Sequence, residues 1–476
     1  MKRRQFIRQS ATATTGFFIL KQKTGFSSGF PTVRIPESQR RFRSEAVEAR
    51  ISAFKKNVKN EELGWLFENC FPNTLDTTVD FSINNSIPDT YVITGDIDAM
   101  WLRDSSAQVW PYLPLMKEDK NLQQLVAGVI RRQTRCILKD PYANAFYKDE
   151  SKESEWKKTD ITEMKAGIHE RKWEIDSLCY PIRLAHGYWK HTGDSSLFDE
   201  EWAKAMELIF KTFKEQERRE NNGPYSFQRT TSWATDGVPL SGYGYPTKRG
   251  RMIHSMFRPS DDATIFPYLI PSNLFASKSI YQLFEMGRYA RSNVFKPYYD
   301  HFDFGGMAQF LFNQVKKYGI VNHKQFGNIY AYEINGLGSY NLMDDANVPS
   351  LLSLPYLGAV DSNDPVYKNT RRFVLSDQNP FFYKGRAGEG IGGPHAGENM
   401  IWPLSIIMRG LTSHDEMEIK HCLDMLKHCH AGTGFMHESF HKDDPSNFTR
   451  KWFAWANTLF GEFLWKVFTE RKNLLS

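Results

Sequence analysis

Cysteine is scarce in this chain, with five residues in 476, at positions 70, 136, 179, 422 and 429. None of them falls in the close paired spacing of a zinc site, and the set is too sparse and odd in number for a disulfide framework. Buried free thiols are therefore expected, with a single bridge left open as the alternative. Long apolar runs are also missing. The longest, Ala11 to Leu20, is too short to span a bilayer, which excludes stable membrane insertion. Nor is there a large charge of one sign: 61 Lys and Arg stand against 55 Asp and Glu, a net of +6. With no basic run interleaved with aromatics beyond the N-terminus, nucleic acid is excluded as a partner. No fixed-period repeat exists, which excludes a solenoid. Aromatic residues, by contrast, are plentiful at 14%, with 12 Trp, 21 Tyr and 35 Phe. Such rings build a large core and also stack on sugar faces.

The first residues, Arg3-Arg4-Gln5-Phe6-Ile7-Arg8, resemble a twin-arginine export signal and lead into that short apolar run. Export to the periplasm is the expectation, with residues 1–30 as signal and linker and residues 31–476 as a single catalytic domain. Cleavage is expected between Thr24 and Pro31.

Downstream, apolar residues recur at helical spacing. Val47, Ile51, Phe54 and Val58 mark one helix, and Leu122, Leu125, Val126, Val129, Ile130 and Ile137 another. Further helical stretches are expected after Trp173-Glu174-Ile175-Asp176-Ser177 to about Gly193, over Trp202 to Phe213, from Ile280 to Ala290, over Met307 to Tyr318 and from Asp364-Pro365. The last, Trp452 to Val467, carries an unbroken apolar stripe. Pro349 is expected to open a helix, and Ser413 to Glu416 has the spacing of a capping box for a helix reaching about His430. The glycine-rich run Gly388 to Asn399 lacks the Lys-Ser/Thr pair of a phosphate loop and is expected to have no strand before it. About a dozen helices with only short strand-like runs predict an all-α fold. Short and long loops alternate, which suits concentric helix pairs whose long loops gather at one rim.

The densest polar segment is Gly95 to Leu113, where Asp96, Asp98, Arg103 and Asp104 surround Trp101 before an apolar helix. Burying three carboxylates and a guanidinium without partners costs several kcal/mol, so either they cap and pair internally or a hydroxyl-rich ligand satisfies them. Further acids stand in other loops: Asp261-Asp262, Asp344-Asp345, Glu398, and Glu438 in TGFMHESF. Any one of them could simply cap a helix. Together they match the need of glycosidic hydrolysis for one protonated and one ionised carboxyl.

Five long motifs carry a resemblance: GDIDAMWLRDSSAQVWPYL, MFRPSDDA, GLGSYNLMDDANVPSLLSLPYLG, GGPHAGENMIWPLSIIMRG and TGFMHESF followed by FTRKWFAWANTLFGE. On these the chain resembles glycoside hydrolase family 125, the exo-α-1,6-mannosidases, over nearly all of its length past the signal. The resemblance implies an (α/α)6 barrel with the active site at its rim. It also implies release of terminal α-1,6-linked mannose from mannosides or N-glycans with inversion, and no metal or other cofactor. It implies that Asp261 or Asp262 is the general acid and Glu438 the general base. Trp101, Arg103, Asp104, Glu174, Asp176, Asp345, Asn347, His395 and Glu398 become the contacts to the mannose, with the Trp101 ring as a stacking platform. Two alternatives differ in kind: a mannoside-binding protein without turnover, and an (α/α)6 hydrolase for another sugar such as an α-glucoside.

Overall fold

The computed structural model describes residues 29–476; the segment expected to be an export signal lies outside the described residues. Among these, twelve helices have eight or more residues: α1 Glu45–Asn57, α2 Glu61–Cys70, α3 Leu102–Val109, α4 Lys120–Lys139, α5 Ile175–Thr192, α6 Glu200–Gln216, α7 Ile270–Tyr289, α8 Phe304–Tyr318, α9 Pro365–Val374, α10 Pro403–Leu411, α11 Glu416–Cys429 and α12 Ala454–Glu470. Start and stop signals work as the side chains dictate. Ser44, Asn60, Asp119, Asp199 and Asp364 each accept a backbone N–H at a helix start, and left-handed Gly193 ends α5.

The helices alternate between two concentric layers. In the inner layer α3 packs on α5, α5 on α7, α10 on α12, and α12 back on α3, which closes the ring. Outer helices sit against inner ones: α8 on α7 and α11 on α10, neighbours in sequence, and α2 on α12 from the far end of the chain. Composition explains the sorting. Along α12, Trp455, Ala456, Leu459, Phe460, Phe463, Leu464 and Val467 are buried together with Asn457 and Thr458, as befits a helix enclosed on all sides. Outer α4 instead buries one stripe and leaves the opposite face in water.

The sixth inner position, between α8 and α9, is filled without a regular helix. Residues 349–360 form a succession of turns, where Pro349 was expected to open a helix. Pro355 has no N–H to give the ladder, and Gly358, at φ +65°, turns the chain away. Leu351, Leu352, Leu354 and Leu357 are nonetheless buried, so the segment still completes the wall. Tyr180 of α5 donates to the Val348 carbonyl at 2.9 Å, and Tyr356 donates to Glu462 of α12 at 2.8 Å.

Two smaller expectations also give way. Helix α11 is capped by Asp415, whose carboxylate accepts from Met417 N. Ser413 instead donates its hydroxyl to Glu418 at 2.5 Å, because the chain enters the helix two residues later than a Ser413 cap requires. A strand, Phe382–Lys384, does precede the glycine-rich run, pairing antiparallel with Glu389–Ile391. The five cysteines are all free and buried. No helix among the described residues is long and apolar enough to cross a membrane.

Candidate active site

Because inner and outer helices alternate in direction, the N-termini of all the inner elements point to one rim. The sequence places its dense polar segments just there. Arg103 and Asp104 lie in the first turn of α3, Glu174 and Asp176 at the start of α5, and Asp261-Asp262 before α7. Asp345 and Asn347 precede the turn segment, His395 precedes α10, and Glu438 with Arg450 precedes α12. The N-termini of the five inner helices favour the negative charge assembled among them.

Arg103 is the hub. Its side chain is 3% exposed, and its Nη1 lies 2.6 Å from Glu174 and 3.1 Å from Asp176. Its Nη2 reaches Asp261 at 3.4 Å, and its Nε stands 3.5 Å from Asp104. One guanidinium cannot neutralise four carboxylates. Burial, only partly opposed by Arg103, pushes Asp104 up to about 6 and raises Asp176. Glu174 is held well above the carboxylate range by burial, although Arg103 pulls the other way. The like charges of Asp261 and Asp176 add to the rise. Buried carboxyls that outnumber their one cation favour the protonated form, so this half of the site is built to retain a proton. Asp176 Oδ1 and the Trp101 indole N–H are buried with no protein partner, an arrangement that a polyhydroxylated ligand satisfies.

A three-stranded sheet of Met100–Trp101, Ala145–Phe146 and Ile168–Glu170 sets Trp101 and Glu170 opposite Ala145. Asn144, next in line, donates to Glu170 at 3.2 Å and to Asp261 at 3.3 Å. Beyond lies an ion cluster that sequence reasoning missed. Arg229 pairs with Asp160 at 2.6 Å, Glu170 at 3.0 Å and Asp236 at 3.1 Å, while Lys172 pairs with Asp236 at 2.7 Å and Glu170 at 3.3 Å. Burial alone would raise Glu170, but Lys172 and Arg229 prevail and hold it below the usual range.

The two adjacent aspartates differ sharply. Asp261 sits at φ +65°, a left-handed conformation unfavourable for a residue with a side chain, and its carboxylate is 20% exposed. Asp262 is 0% exposed; Thr235 donates to it at 2.7 Å, Ser260 lies 3.3 Å away, and His395 Nδ1 stands at 3.9 Å. The Ser260 hydroxyl also donates to Asp345 at 2.9 Å, and Asn347 N donates to the other Asp345 oxygen at 3.0 Å. Asp262 therefore braces the loops around Asp345, while Asp261 faces the opening.

Glu438 has different company. Thr449 donates to one of its oxygens at 2.9 Å and Arg450 to the other at 3.3 Å. Arg450 Nε also holds Asp96 at 2.8 Å, which ties the Glu438 hairpin to the segment leading to Trp101. The seam is close. Gly95, at φ +128°, bridges Phe453, and a Cβ there would run into the Trp452 carbonyl. Both Asp261 and Arg450 contribute to the field at Asp104, which places Asp104 between the two halves of the site.

Of the expected mannose contacts, Arg103, Asp104, Glu174 and Asp176 gather with the candidate acid Asp261, Asp345 and Asn347 gather with Asp262 through Ser260, and His395 stands beside Asp262. Trp101 is buried at 6% exposure, its ring edge-on to His169 at 5.1 Å, so it forms a wall with its indole N–H as the polar contact. Glu398 is exposed, and no hydrogen bond or ion pair among the described residues ties it to the cluster. Lys172, Arg229 and Asp236 carried no motif of their own; the charged run His169 to Asp176 was the available signal. No group of three or more His, Cys, Asp or Glu among the described residues is placed to hold a metal ion.

Comparison with known proteins agrees with this architecture. The family model described as metal-independent alpha-mannosidase (GH125) matches residues 60–465. The meiotically up-regulated gene 157 protein of Schizosaccharomyces pombe is 41% identical over 466 residues, covering 94% of this chain and 90% of its own. A solved Streptococcus pneumoniae alpha mannosidase, in a non-productive complex with alpha-1,6-mannobiose, is 40% identical with a TM-score of 0.86. The match covers 90% of this chain and all of that one. With the ring of inner helices and the carboxylate-lined rim that the sequence encodes, the chain belongs to glycoside hydrolase family 125, the metal-independent α-mannosidases.

Proposed function

We propose that the enzyme removes terminal α-1,6-linked mannose from mannosides or N-glycans with inversion, using Asp261 as general acid and Glu438 as general base. The observation that carries the assignment is the contrast in the rim: several carboxyls, Asp261 among them, sharing the single guanidinium of Arg103 on one side, and a carboxylate clasped by Thr449 and Arg450 on the other. Glu438 takes a proton from water as that water attacks the anomeric carbon from the face opposite the leaving sugar. Asp261 gives its proton to the departing glycosidic oxygen, and the products are β-mannose and a shortened glycan. Arg103, Asp104, Asp176 and Asp345 hold the sugar hydroxyls. The α-1,6 linkage is supported by the mannobiose bound to the pneumococcal relative.

NMR of the first product formed from α-1,6-mannobiose tests the reading. β-Mannose is expected, an α-anomer overturns inversion, and no cleavage leaves only a binding protein. We further read residues 31–476 as one catalytic domain and residues 1–30 as a twin-arginine-type signal that sends the enzyme to the periplasm. Arg3→Lys/Arg4→Lys should trap precursor in the cytoplasm; cell fractionation finding normal export rejects it.

A further inference from the structure

We propose that Lys172 is the positioning residue for the general acid, holding Asp261 through its backbone carbonyl; this rests on the assignment of Asp261 above. The Lys172 side chain is 1% exposed, and its ammonium donates to the Asp261 carbonyl at 2.8 Å. Its other partners are Asp236 at 2.7 Å and Glu170 at 3.3 Å, with the Phe257 ring 5.1 Å below. All three hydrogens of an ammonium are thus committed.

The backbone of Asp261 needs such a clamp. At φ +65° a residue with a Cβ is held only if its surroundings over-determine it. The turn supplies two backbone bonds, Asp261 N to the Arg258 carbonyl at 2.9 Å and Arg258 N to the Asp262 carbonyl at 2.7 Å. Neither of these engages the Asp261 carbonyl, which is the group that fixes the peptide following the acid. Lys172 engages it, and is itself fixed by Asp236 and Glu170, both gripped by Arg229. Asn144 ties the Asp261 carboxyl to the same Glu170. Backbone and carboxyl of the acid are therefore both referenced to one buried ion cluster. Proton donation depends on direction, so loosening the clamp should weaken acid assistance before it weakens binding.

The test compares α-1,6-mannobiose, whose leaving alkoxide needs a proton, with α-mannosyl fluoride, whose fluoride leaves without one. Lys172→Met should lower kcat on mannobiose at least tenfold with KM within threefold, while losing at least fivefold less on the fluoride. Asp236→Asn, which keeps the ammonium but removes its charged anchor, should show the same selectivity at smaller amplitude. Parallel losses on both substrates make Lys172 merely structural and overturn the proposal. If Lys172→Met fails to fold by circular dichroism and gel filtration, Asp236→Asn and Lys172→Arg decide by the same ratio. Asp261→Asn separates the two layers. A selective loss there with none in the lysine and Asp236 variants sinks only the clamp, whereas equal losses in Asp261→Asn sink the acid assignment itself.

Discussion

The turn that carries Asp261 and the hairpin that carries Glu438 solve opposite problems with opposite surroundings. Around Asp261, acids outnumber cations: Asp104, Glu174 and Asp176 share one Arg103, and burial lifts all three. Around Glu438 the immediate partners are one hydroxyl and one guanidinium. A crowded acid side keeps a proton near neutrality, and a base whose two oxygens each accept a single bond keeps lone pairs available to meet water. On the roles proposed above, the contrast divides acid from base by the ratio of carboxylates to cations, since both residues sit in loops at the same rim.

The most damaging way to break that contrast is to neutralise the base. Glu438→Gln should keep the fold and bind substrate while losing about 10²- to 10⁴-fold in kcat, and a loss under tenfold in steady-state assays removes Glu438 from the role. Next comes the guanidinium that aims it. Arg450→Met should cost about 10- to 100-fold in kcat, the equivalent of ~1.5–3 kcal/mol for a charge-assisted bond, with KM changing far less.

On the acid side the crowding itself can be relieved. Asp104, raised to about 6 by burial, binds a proton in the folded state at pH values where the unfolded chain has released it. For an acid raised in this way stability falls as pH climbs from the ordinary carboxylate range through about 6, the protonated form being the stabilised one. Asp104→Asn should therefore raise the melting temperature at pH 7, by about 1–3 kcal/mol of stability, and lose the advantage below pH 4. Calorimetry across pH checks the sign, and turnover should drop in the same variant. The smallest effect belongs to the wall. Trp101→Phe removes the buried indole N–H and should raise KM about three- to tenfold, ~1 kcal/mol, with the melting temperature little changed.

Much of this was legible in the chain. Arg103 and Asp104 beside Trp101 were too dense in charge to be buried without partners, and the apolar stripes of α4 and α12 fixed their place in the layers. The sixth inner wall was not legible, because Leu351, Leu352, Leu354 and Leu357 carry a helical share of apolar residues while Pro355 denies the ladder its bond. Asp261 and Asp262 could not be told apart either, since left-handed backbone and contacts such as Thr235 to Asp262 arise only from tertiary structure. Lys172 and Asp236, 64 residues apart, looked like ordinary loop charges.

The bond between Arg450 and Asp96 spans 354 residues, and Ala454 N reaches the Thr94 carbonyl beside it. That seam makes competence a matter of timing. A ribosome that has delivered everything up to α11 has released every acid of the Asp261 side, yet the nascent chain has neither its base nor the latch that shuts the ring. Closure across so long a stretch comes late and slowly. A chain truncated before the hairpin thus carries an unserved cluster of carboxylates, and the capacity to cut a glycan arrives all at once with the residues that follow α11.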